Sequence, residues 1–146
     1  MKPSLKLELT MPSNIKLLPL IGNLVETFIS NVRDEFGNID LDDLAFKIDL
    51  ALTEATANAM KHGNKGKEDL PVKIKMEFFN DELQIDVSDC GEGFRSEKLH
   101  VDIEDIPENQ DSGRGLYIIK QLMDEVTYSY ENGQYRFQMT KKIRST

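Results

Sequence analysis

Leu5, Leu7, Leu9 and Met11 alternate with Lys6, Glu8 and Thr10, the two-residue period of a strand that turns one face to a core. Pro12-Ser13-Asn14 breaks that strand and offers an N-cap. From Ile15 to about Phe36 the period changes, and Leu17, Ile21, Leu24, Val25, Phe28 and Val32 fall on one helical face, with Gly37-Asn38 as the stop. Asp40 to His62 predicts a second helix with Leu44, Ile48, Leu52, Ala55 and Ala59 as its stripe, ended by Gly63-Asn64-Lys65-Gly66. Two hairpins are then expected. Val72, Ile74, Met76 and Phe78 pair with Leu83, Ile85 and Val87 across a turn at Asn80-Asp81. Val126, Tyr128 and Tyr130 pair with Tyr135, Phe137 and Met139 across Asn132-Gly133, a type I′ turn sequence. Between the hairpins lie a polar stretch from Phe94 to Asp111 and a helix carrying Leu116, Ile119, Leu122 and Met123.

The order is strand, two helices, two strands, a loop, a helix and two strands. Hairpin pairing with helices in between predicts an α+β fold: a two-layer sandwich whose mixed, mostly antiparallel sheet carries about three helices on one face. No repeat, low-complexity tract or linker divides the chain, so residues 1–146 are expected to form one domain. The loop of roughly 18 residues is long for a compact domain, and such loops are usually functional.

Composition removes several classes of function. The net charge of −8 disfavours direct nucleic-acid binding, which needs clustered Lys and Arg; here lysines are interleaved with acids. An acidic surface suits a basic protein partner, and serves solubility equally well. The single cysteine, Cys90, makes no internal disulfide and no CxxC pair, so a reducing cytoplasm is the expected location. No apolar run is read as reaching the roughly 20 residues of a membrane span, and the N-terminus shows no signal-type core.

Three segments carry chemistry. Glu54, Asn58 and His62 are spaced i, i+4, i+8 and share a helical face at about 100° per residue. That face borders Ala51, Ala55 and Ala59, small residues that leave room for a ligand between helix and sheet. With Lys61 near, the row can orient a nucleophile, ligate magnesium and balance phosphate charge, or be only a polar helix edge. Asp89 continues the inward series of Leu83, Ile85 and Val87; a carboxylate aimed at a core needs a donor, and an adenine amino group is one. Alternatively, Asp89 caps the turn at Gly91. Gly113-Arg114-Gly115 stands just before the third helix with Ser112 as its N-cap, an arrangement that attracts phosphate or simply forms a hinge. A P-loop is excluded, since no Gly-x-x-x-x-Gly-Lys-Ser/Thr occurs.

Jointly and in this order, the segments resemble the GHKL superfamily, whose ATP site is the Bergerat fold. Glu54-x-x-x-Asn58-Ala-x-Lys61-His62 resembles its N box, Asp89-x-Gly91-x-Gly93-Phe94 its G1 box and Gly113-Arg114-Gly115-Leu116 its G2 box. The resemblance covers about Leu5 to Ile143 and is nearest to the anti-sigma-factor serine kinases of bacterial partner switching. It implies that Glu54 is the general base on a protein hydroxyl, Asn58 holds Mg2+, Lys61 meets phosphate and Asp89 binds the adenine amino group. It also implies that Gly91, Gly93, Phe94, Gly113, Gly115 and Leu116 shape the pocket and lid, with Arg114 beside the triphosphate. His62 matches a position near the ribose, where a buried structural histidine is the alternative. Relatives often carry Gly-Thr after the last hairpin turn; here Gly133 is followed by Gln134 and Tyr135, so a hydroxyl-mediated second adenine contact is not matched.

The function expected from this resemblance is an ATP- and Mg2+-dependent protein-serine/threonine kinase that binds a sigma factor and phosphorylates a small anti-sigma-factor antagonist. The first strand and first helix are a candidate homodimer surface. A rival is a nucleotide-gated binding module that performs no transfer. A detached histidine-kinase catalytic domain would need a phosphoacceptor hairpin from elsewhere, because neither His62 nor His100 is placed as an acceptor.

Overall fold

In the computed structural model, residues 5–32, 40–90, 100–101, 111–131 and 134–143 are described. Six strands form one sheet in the order β1-β2-β3-β6-β5-β4, comprising β1 (Leu5–Met11), β2 (Val72–Phe79), β3 (Glu82–Ser88), β4 (His100–Val101), β5 (Glu125–Glu131) and β6 (Gln134–Lys142). All pairings among these described strands are antiparallel, so the expected α+β sandwich is realised with no parallel pair in view. Asn80 and Asp81, both at positive φ of 52° and 59°, make the tight link between β2 and β3. In the second hairpin Glu131 pairs with Gln134, while Asn132-Gly133 lies outside the described residues.

Alternation explains which face is covered. Val72, Ile74, Met76 and Phe78 of β2, Leu83, Ile85 and Val87 of β3, and Phe137 and Met139 of β6 are buried in one core. The helices supply the other half: α1 (Pro19–Val32), α2 (Leu41–Asn58) and α3 (Asp111–Leu122) contribute residues such as Ile21, Val25, Ile48, Leu52 and Ile119. Truncating a side chain such as Leu52 or Ile85 to Ala would cost about 2–5 kcal/mol. The other sheet face presents Lys73, Lys75, Asp86 and Arg136, and the Arg136 Nη2–Asp86 Oδ2 pair at 2.8 Å bridges β6 to β3. At the sheet's far side the rings of Tyr128 and Phe137 tilt against each other at a centroid distance of 5.4 Å.

Several boundaries differ from the sequence expectation. Asn14 caps a short 3-10 turn at Ile15–Leu17 before α1 begins at Pro19, so one continuous helix from Ile15 is not formed. A proline is well accommodated there because its missing N–H is not needed in a first turn. The expected stretch beyond Val32 to Phe36 lies outside the described residues. Ile15–Val32 is, at 18 residues and mean hydropathy 1.2, long and apolar enough by composition to cross a membrane, contrary to the reading that no run comes near that length. Its Ile21, Val25, Phe28, Ile29 and Val32 enter the core of the sandwich, which is the behaviour of a one-sided packing helix. The expected loop from Phe94 to Asp111 contains β4, whose His100 and Val101 pair with Ser129 and Tyr128.

Candidate functional site

The N-terminus of α2 is fixed by Asp40, whose Oδ1 accepts from the Asp43 N–H at 3.1 Å, with Asp42 and Asp43 favourably placed in the first turn. From that cap the buried stripe runs Leu44, Ile48, Ala51, Leu52 and Ala55. Glu54 and Asn58 lie beside it, half-buried at the edge of the helix–sheet layer. Across from them is Gly115 of α3. A Cβ on Gly115 would stand 2.9 Å from Glu54 Oε2 and 3.2 Å from Asn58 Nδ2. The acid and the amide are therefore brought together, as the spacing predicted, and the backbone of the glycine segment comes directly over them.

The segment that carries the third member of that row is not regular α-helix. Regular α-helix stops at Asn58, and Ala59–Gly63 forms one π-helical turn, closed by the Asn64 N–H donating to the Ala59 carbonyl at 2.8 Å. Glu54 and Asn58, at i and i+4, both lie in the regular α-helix, whereas His62 lies in the wider turn that follows it. Such turns are often found at functional sites. His62 belongs to this turn, with its side chain outside the described residues; Lys61 is exposed on it.

The turn also carries the chain toward Asp89. Leu83, Ile85 and Val87 point inward, and Asp89, one residue beyond β3, follows them with only 3% of its surface exposed. Gly63 makes this possible: a Cβ there would fall inside the Asp89 carboxylate. Next to it, Asn64 is fully buried and its Oδ1 accepts from the Cys90 N–H at 2.9 Å. Neither Gly63 nor Asn64 was singled out in the sequence beyond marking the end of a helix. The sequence cue that was available is their adjacency to the Asn58-to-His62 segment.

The Cys90 thiol is held above the ordinary range, chiefly by burial and then by the negative charge of Asp89, with Lys73 opposing. Its Sγ lies 3.3 Å from the Pro71 carbonyl, a weak donor contact. The glycine segment departs from expectation in a different way. The third helix begins at Asp111, so Ser112, Gly113, Arg114 and Gly115 lie within its first two turns and do not precede it. Glycine disfavours helix, but packing of α3 on α2 overrides that local preference, and the bare backbone at Gly115 leaves room for the ends of the Glu54 and Asn58 side chains. The side chains of Arg114 and Leu116 lie outside the described residues, as do Gly91, Gly93 and Phe94.

Among the described residues no three His, Cys, Asp or Glu side chains gather to hold a metal on their own. Among the described residues the buried Nδ2 of Asn58 has no hydrogen-bond partner, so it is a donor open to an incoming acceptor such as a phosphate oxygen, and a metal would be met by the Oδ1 of the same amide. Magnesium takes few protein oxygens and several from phosphate and water, so one Asn is chemically sufficient.

Comparison with known proteins places this geometry. The histidine kinase-like ATPase domain matches residues 22–141. A serine-protein kinase, RsbW, of Staphylococcus epidermidis is 31% identical over 134 residues, covering 87% of this chain and 80% of its own. The Staphylococcus aureus RsbW is 32% identical over 145 residues, covering 94% and 87%, and that of Listeria innocua is 31% identical over 134, covering 88% and 82%. The crystal structure of the RsbU and RsbW domains of Rv1364c from Mycobacterium tuberculosis superposes on 99% of this chain with a TM-score of 0.64 at 15% identity, which speaks to fold alone; the match spans 34% of that longer chain. With Glu54 and Asn58 gathered under Gly115 and a buried Asp89 closing β3, the chain belongs to the histidine kinase-like ATPase family, among the RsbW-type serine-protein kinases.

Proposed function

We propose that this protein is a cytoplasmic, ATP- and Mg2+-dependent anti-sigma kinase that binds a sigma factor and transfers the γ-phosphoryl group to a serine or threonine of a small antagonist protein. The observation that carries the reading is the convergence of Glu54 and Asn58 on one side of α2, within 3.2 Å of where Gly115 would bear a side chain, with buried Asp89 reached across the same turn. In this reading Asp89 accepts a hydrogen bond from the adenine amino group, which sets the base and the register of the triphosphate. Asn58 ligates the metal, which when bound neutralises charge on the transferring phosphate. Glu54 takes the proton of the protein hydroxyl as that oxygen attacks, and Lys61 and Arg114 offset phosphate charge. Gly91, Gly93, Phe94, Gly113, Gly115 and Leu116 border the nucleotide, and His62 lies toward its sugar. Phosphoryl transfer of this kind depends mostly on positioning and charge stabilisation, so little covalent chemistry is asked of the protein.

The partner side of the reading rests on charge and surface. A net charge of −8 favours a basic partner, and Leu5 on the edge strand β1 and Leu20 on α1, exposed at 38% and 46%, form a candidate self-association surface. The test combines the protein with a cognate antagonist, MgCl2 and γ-labelled ATP. Label on an antagonist serine or threonine is expected, lost on chelation with EDTA. No transfer with intact nucleotide and antagonist binding would defeat the kinase assignment.

A further inference from the structure

We infer that Gly63 and Asn64 set purine selectivity by positioning Asp89, so that the turn after Asn58 holds the base-reading carboxylate. The inference rests on the reading of Asp89 as the adenine contact and deepens it.

Asn64 is 0% exposed and is held from all sides. The two hydrogens of its Nδ2 are shared among three acceptors, Ser13 Oγ at 2.9 Å, the Leu70 carbonyl at 2.9 Å and the Pro71 carbonyl at 3.0 Å. Its Oδ1 accepts from the Cys90 N–H. Three acceptors on one end and an N–H on the other leave a single orientation for the amide. The backbone is held too, with Asn64 N–H on the Ala59 carbonyl and Lys67 N–H on the Asn64 carbonyl. Ser13 Oγ donates in turn to the Leu70 carbonyl, joining the end of β1 to the network.

The bond to Cys90 is the one with functional consequence. The Cys90 N–H belongs to the peptide that leaves Asp89, so holding it fixes the backbone torsion from which the Asp89 side chain projects. No regular strand pairing does this, because β3 ends at Ser88. On the other side, Gly63 gives the carboxylate a slot that any Cβ would fill. One residue thus clears the space for the carboxylate, and the next anchors the backbone behind it. A buried side chain used only to stabilise the fold would not need to be placed at this peptide.

The test is calorimetric titration of the whole chain, in Mg2+, with ATP and with purine riboside triphosphate, which lacks the 6-amino group. Wild type is expected to prefer ATP by about tenfold or more, the value of a hydrogen bond to a carboxylate. Asn64→Ala is expected to lose most of that preference by weakening ATP while leaving the analogue's affinity in place, approaching Asp89→Asn. Equal weakening of both nucleotides by Asn64→Ala, or no change in either, overturns the inference. A wild type that does not discriminate the two sinks the Asp89 reading itself, a distinguishable failure that removes the inference with it. If circular dichroism shows Asn64→Ala unfolded, Ser13→Ala decides: a several-fold fall in the ATP preference supports positioning, and an unchanged preference overturns it.

Discussion

Gly115 of α3 sits so close to Glu54 of α2 that a methyl group on it would stand 2.9 Å from the Glu54 Oε2 atom. The contact is made with the free end of a side chain, which can move aside without disturbing either backbone. Gly115→Ala should therefore leave the fold intact and raise helix propensity by up to about 1 kcal/mol. The displaced atoms are the ones that the proposed chemistry uses. We expect a thermal midpoint equal to or above wild type together with a fall in phosphoryl transfer of about tenfold or more, measured at saturating ATP. Retained activity in Gly115→Ala would show that Glu54 tolerates displacement and is not the positioned base.

Thr56 gives a prediction about stability alone. Its side chain is fully buried on α2, and among the described residues its Oγ1 has no hydrogen-bond partner. A hydroxyl that gave up water without gaining a partner is a net cost, and an isosteric methyl removes it. Thr56→Val should shift the urea midpoint upward, corresponding to about 1 kcal/mol, with an unchanged slope. A downward shift would indicate a hydrogen bond to Thr56 Oγ1 in solution.

The strands and the central helix were legible because their cues are local. Leu83, Ile85 and Val87 alternate with Gln84, Asp86 and Ser88, and that phase alone sends Asp89 inward, where it is found. Glu54 and Asn58 likewise share a helical edge by spacing. What was not legible depends on residues far apart in the chain. Gly63-Asn64 reads locally as a helix stop, yet the partners that give it meaning are Ser13 and Cys90, 51 and 26 residues away. The π turn at Ala59–Gly63 leaves no trace in hydrophobic periodicity, which reads as regular helix through to His62. The start of α3 is hidden for a related reason: glycines argue against helix, and only the packing on α2 reveals that the bare Gly115 leaves room for the Glu54 and Asn58 side chains.

Cys90 makes the protein's stability depend on alkaline pH. Burial and the neighbouring Asp89 charge raise its thiol above the ordinary value of about 8.5, so the folded state prefers the protonated form. A raised acid contributes stability that is fully present below the unfolded thiol value and is lost as pH climbs through the folded one. Unfolding free energy measured from pH 7 to 10 should therefore fall more steeply in wild type than in Cys90→Ser. Alkylation by iodoacetamide at pH 8 should also run several-fold slower than for free cysteine, because the thiolate is the reacting form. Fast alkylation of the native protein would contradict the half-buried, proton-bearing thiol.

Glu54→Gln separates transfer from binding. The substitution keeps the size and the hydrogen-bonding reach of the side chain beside Asn58 but removes its capacity to accept a proton. If Glu54 is the general base, the single-turnover rate of transfer to the antagonist should drop about 10²–10⁴-fold, the usual span for such assistance. ATP affinity should change little, since Asp89, the proposed adenine contact, lies across the turn at Gly63 and is untouched. Removing a negative charge near the triphosphate pulls in the opposite direction and tightens ATP if it does anything, so weaker binding cannot be mistaken for lost catalysis. Partner capture should then persist in Glu54→Gln and become insensitive to the passage of time in ATP, because the phosphorylation that resets it no longer occurs. A variant that still transfers phosphate at the wild-type rate would leave Glu54 as a polar helix edge; one whose signalling survives although transfer has vanished would favour a nucleotide-gated module over a kinase.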